Sequence, residues 1–180
     1  MPCNHGHGID QGGVMHEARS LQEMQETAKA VIENRCNNAG RLRVAANELL
    51  LSEALLNSLK ENELVRLFRG LFPHLTSFTP GLFNLMRTCG LPDTEFTKAV
   101  EVRAKTITSK QLAQKNRGFL LWLLSPVRSP HIPLKKVLSS YQLNILIETV
   151  KTYTPDLARN HRIVLLSWAA ARETRRAQGH

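Results

Sequence analysis

The chain has no apolar run longer than the six residues Phe119–Leu124, whereas a helix that crosses a bilayer needs about 20. No membrane span is therefore expected. The start, Met1-Pro2-Cys3-Asn4-His5, lacks both a basic segment and an apolar one behind it, so no secretory signal is expected. Cysteine is scarce. Cys3, Cys36 and Cys89 are odd in number and far apart, which predicts no disulfide framework and an intracellular, reducing setting, cytoplasmic or nuclear. A phosphate-cradling glycine loop, a dinucleotide fingerprint, a carboxylate dyad and a zinc-protease motif are all missing, so neither an enzyme nor a cofactor is expected. Aromatic residues make up 6%, β-branched residues are few, and no alternation of four or more residues survives, which argues against sheet.

Acidic residues are lacking in one half only. Residues 1–100 hold 10 Lys/Arg and 11 Asp/Glu, a balance of −1, while residues 101–180 hold 14 and 4, a balance of +10. The net +9 of the chain thus lies wholly in its second half. Such a split points to a polyanionic partner: nucleic acid, an acidic protein face or an anionic surface.

What is present reads as helix. Leu, Ala, Glu, Gln, Lys and Arg are frequent, and all are good helix formers. The fold expected is all-α: a single irregular, orthogonal bundle of about six to eight helices. A disordered tail over 1–13 precedes one helical domain over 14–180, charge-balanced to 107 and basic from 108. The tail has four Gly, a Pro and no apolar period, so little burial offsets its ordering entropy.

Val14, Ala18, Leu21, Met24, Ala28, Val31 and Ile32 recur at steps of three and four and predict a first amphipathic helix. Asn37-Asn38-Ala39-Gly40 stops it. A second helix is expected from about Arg41 to Leu59, apolar over more than half its circumference, and a third over Glu61–Leu71, ended by Phe72-Pro73. Thr79-Pro80 marks another start, and Asp93 opens a helix with Phe96, Ala99, Val100 and Ala104 on one side. Thr108 with Gln111 fits a capping box, predicting a helix from Ser109 through Leu124 despite Gly118. Three prolines make 125–133 a loop. Leu134, Val137, Leu138, Tyr141 and Ile145 form the stripe of the next helix, and Thr154-Pro155-Asp156 starts the last, with Leu157, His161, Val164, Leu165, Trp168 and Ala171 inward.

The candidate site is the basic surface: Lys110, Lys115, Arg117, Lys135, Lys136, Arg159, Arg162, Arg175 and Arg176. Cations tracking phosphates would release counterions. Trp122, Trp168, Tyr141 and Tyr153 are placed in the core by their periodicity, leaving Lys and Arg to make the contact. A helix-turn-helix over Thr108–Arg117 is disfavoured, because Phe119–Leu124 is too apolar to lie in a major groove. Cys3, His5 and His7 lack a fourth ligand at fixed spacing, so no metal site is expected. Cys89 and His74 have nothing to orient them as a nucleophile pair. The expected function is a non-enzymatic regulatory protein that binds nucleic acid, RNA ahead of DNA. The alternative is a helical protein–protein adaptor or effector-type accessory protein that docks on an acidic partner. The 14–36 helix is a candidate for homodimerisation or for a partner helix.

Overall fold

In a computed structural model of the chain, the described residues are 19–124, 138–142, 144, 145 and 148. Among them all regular structure is helical: α1 Leu21–Ile32, α2 Ala39–Leu49, α3 Glu53–Asn57, α4 Glu61–Leu71, α5 Leu82–Thr88, α6 Asp93–Lys105, α7 Lys110–Lys115 and α8 Arg117–Leu124, with a 3-10 turn at Phe72–His74. No helix of these residues is long and apolar enough to cross a membrane. The tail over 1–13, the loop over 125–133 and the helix after Thr154 lie outside the described residues.

These residues divide between two compact units. One takes the chain to Ser77 and again from Leu82 to Ala99; the other takes Phe78–Gly81 and the chain from Val100 onward.

In the first unit, Ser20 caps α1 by accepting a hydrogen bond from the Glu23 N–H at 3.1 Å, a contact worth about 1 kcal/mol. The buried face is Thr27, Ala28, Ala30 and Val31. These small side chains let α1 pack closely on α4, as well as on α2 and α3. The fit is tight at Gly70 of α4, where a Cβ would stand 3.2 Å from Val31 Cγ1. This face of α1 is thus covered by its own chain.

The single helix expected over 41–59 is instead two. α2 ends at Leu49 with Leu50 as its C-cap, and Ser52 caps α3 by accepting from the Leu55 N–H at 3.3 Å. A straight helix could not turn apolar positions covering more than half its circumference toward one core. The break resolves this, leaving Leu49, Leu50, Leu55 and Leu56 all fully buried.

α4 follows its expected bounds and buries Leu64, Leu67, Phe68 and Leu71. Phe72-Pro73 ends it in the 3-10 turn. Phe68 then stacks on Phe72 and Phe96 at 4.9 and 5.5 Å, and Phe83 meets Phe96 edge-on at 5.1 Å. Each such ring pair adds about 1 kcal/mol beyond area burial. Pro80 and Gly81 form a turn, so α5 opens at Leu82 rather than at the proline. Gly90, at φ +105, turns the chain between α5 and α6. Asn47 of α2 fastens the exit from this unit: its Oδ1 accepts from the N–H groups of Thr76 and Ser77 at 3.0 and 2.9 Å, and its Nδ2 donates to Thr76 Oγ1 at 2.7 Å.

Cys36 is buried and disulfide-bonded, while Cys89 is a free thiol.

Candidate functional site

The second unit is organised around a buried cation. Arg103, on the second half of α6, is 6% exposed. Its guanidinium carbon sits 4.6 Å from the Phe119 ring centre and 5.1 Å from that of Phe78. Its Nε and one terminal nitrogen donate to Asn116 Oδ1 at 3.3 and 3.2 Å. Burial pulls its pKa down to about 10, so the group still carries its charge at neutral pH. Trp122 completes the cluster, 5.5 Å from Phe78 and 6.1 Å from Phe119. Arg103 is absent from the residues singled out by sequence. The signal for it was its spacing: seven residues after Phe96 and three after Val100, it falls on the buried stripe of α6.

Asn116 explains why the helix expected from Ser109 to Leu124 is interrupted. Its Nδ2 donates to the Leu112 carbonyl at 2.8 Å while its Oδ1 is held by Arg103. A short polar side chain that bonds the backbone locally competes with helix continuation, and Asn116 becomes the C-cap of α7. The cap of α7 is also displaced by one residue from the expected Thr108. Ser109 Oγ accepts from the Leu112 N–H at 3.2 Å.

This framework fixes which side chains face outward. α8 buries Phe119, Leu120, Trp122 and Leu123, as its apolar sequence requires, and so is no groove-reading helix. Lys110, Lys115 and Arg117 are exposed. Among the described residues, neither Lys110 nor Lys115 meets a carboxylate. Lys105 of α6 does, pairing with Glu101 at 2.7 Å. From Val102 to Ile147 the sequence contains no Asp or Glu at all. In the first unit some cations are matched by acids, Arg19 with Glu48 at 2.6 Å, Arg69 with Glu95 at 2.6 Å and Arg87 with Asp93 at 2.8 Å, and the first hundred residues hold as many acids as bases to within one. The remaining candidates, Lys135, Lys136, Arg159, Arg162, Arg175 and Arg176, lie outside the described residues, as do Trp168 and Tyr153.

Tyr141 is not in the core. It is 63% exposed, while Leu138 and Ile145 of the same expected stripe are buried. The position beside it turns inward instead. Gln142 exchanges the reciprocal hydrogen bonds of a capping box with Ser139 and donates Nε2 to the Ala104 carbonyl at 3.1 Å. An aromatic ring is therefore available on the surface of the basic unit.

The thiol of Cys89, in the first unit, is pushed up by burial and by the nearby Glu53 carboxylate, which disfavours the reactive thiolate. Among the described residues no group of His, Cys, Asp and Glu is arranged to hold a metal; Cys3, His5 and His7 lie outside them. Compared with protein-family models, curated proteins and solved structures, the chain matches none.

Proposed function

We propose that this chain is a non-enzymatic regulatory protein that binds nucleic acid, RNA ahead of DNA, through the basic surface of its second unit. The observation that carries this reading is the carboxylate-free, cationic exterior of α7. Lys110 and Lys115, which meet no carboxylate among the described residues, stand on a scaffold held from within by Arg103 and Asn116. Cations so placed are suited to phosphate, because binding releases condensed counterions from the strand. Arg117, exposed at the start of α8, adds to the cationic surface. The exposed ring of Tyr141 adds a face on which a base can stack. By sequence the surface extends to Lys135, Lys136, Arg159, Arg162, Arg175 and Arg176.

The test is titration of labelled RNA and DNA strands at several salt concentrations, with Lys110→Glu/Lys115→Glu beside the wild type. The expected result is an affinity that falls linearly in log salt, by about 0.7 per phosphate contacted on a single strand, and is weakened at every salt in the variant. Absence of binding near physiological salt, or a variant that binds like the wild type, overturns the proposal.

A further inference from the structure

The exposed face of α7 has an internal order. At about 100° per residue, Lys110, Gln114, Gln111 and Lys115 follow one another around about 140° of arc. All four are exposed, and none of their side chains is engaged in a hydrogen bond among the described residues. The opposite side carries Ala113, which is buried, and Leu112, which is half-buried. Two amides thus sit side by side, flanked on each edge by an ammonium group, with no carboxylate on the helix.

The two residue types suit different parts of a nucleotide. Ammonium groups contact phosphate as point charges and read no sequence. A primary amide offers a donor and an acceptor together, which match the edge of an adenine, its amino group and adjacent ring nitrogen. We infer that the Gln111–Gln114 pair contacts base edges while Lys110 and Lys115 hold the flanking phosphates, giving the surface a preference for adenine in a nucleic-acid strand. This rests on the nucleic-acid reading above and adds sequence preference to it.

The chain contains its own control. α1 carries the same amide spacing, Gln22 and Gln25, both exposed, but its neighbours are Glu23 and Glu26 with a single ammonium, Lys29, all exposed. With two carboxylates to one ammonium that face disfavours phosphate.

The experiment compares adenine-rich and cytosine-rich single strands of equal length, as RNA and as DNA, on the full chain. Adenine-rich strands are expected to bind about tenfold more tightly. Gln111→Ala/Gln114→Ala should abolish that ratio and leave the salt slope unchanged. Lys110→Ala/Lys115→Ala should weaken both strands equally and reduce the slope by about 1.4, two single-strand phosphate contacts. Gln22→Ala/Gln25→Ala should change nothing. Binding without an adenine preference, or a preference that survives loss of Gln111 and Gln114, overturns this inference and leaves the nucleic-acid reading standing. No binding to any strand overturns both.

Discussion

Arg103 presents opposing terms of similar size, and substituting it separates them. Its pKa, lowered by burial to about 10, corresponds to about 3 kcal/mol spent on burying the charge. Against this stand two ring contacts, each about 1–2 kcal/mol in a desolvated setting. The hydrogen bonds to Asn116 add about 1 kcal/mol net. The balance lies between zero and about 2 kcal/mol in favour of the charge, so the volume of the side chain contributes at least as much as the charge itself. Arg103→Met keeps most of that volume and abolishes the burial cost, and it is expected to change stability by less than about 1 kcal/mol. Arg103→Ala leaves a cavity against Phe78 and Phe119 and should cost at least about 2 kcal/mol more than Met. Arg103→Lys keeps a buried charge and loses the planar fork that stacks on both rings, so it should also be worse than Met. Urea denaturation followed by tryptophan fluorescence reads all three, because Trp122 stands in the same cluster. If Arg103→Met proves as damaging as Arg103→Ala, the cation and not its volume holds the unit together, and the reasoning fails.

Other sites give further expectations. Burial raises the Glu48 pKa more than Arg19 lowers it, so its charge is a burden that is absent at low pH and appears as pH rises through its folded value. Glu48→Gln should therefore be neutral or stabilising near pH 7 and lose that advantage in acid, read as midpoints of thermal unfolding across pH. Asn47→Ala removes a side chain that accepts from two N–H groups and should cost about 1–2 kcal/mol, with faster amide exchange at Thr76 and Ser77. Gly70→Ala gains about 1 kcal/mol of helix propensity but crowds Val31. Its effect should be more favourable in a Val31→Ala background, and a double-mutant cycle with no coupling would refute that contact.

The helical class, the bounds of α4 and the start of α6 were readable because Pro73 and Asp93 punctuate strongly periodic stretches. The breaks at Leu50–Ser52 and Asn116 were not. Leu50 and Leu51 continue an apolar pattern that gives no warning of a turn, and Asn116 stops α7 through side-chain bonds, one of them to a residue 13 positions away. Tyr141 misled for a related reason. It sits at the edge of its stripe, and Gln142 took the inward position because the Ala104 carbonyl was there to receive it. Lys110, Lys115 and Arg117 were found by charge alone; the amides between two of them carried no charge signal and emerged only once α7 had defined limits.

The brief excursion of Phe78–Gly81 from one unit to the other bears on how this protein can be cut. No single boundary in the sequence separates the units, so a fragment ending near Ala99 would carry Phe78 without Arg103, Phe119 or Trp122 to receive it. Such a piece would leave the Phe78 ring without the side chains that pack on it. Working halves would have to be spliced, with a polar bridge replacing 78–81 in one and those four residues grafted ahead of Val100 in the other.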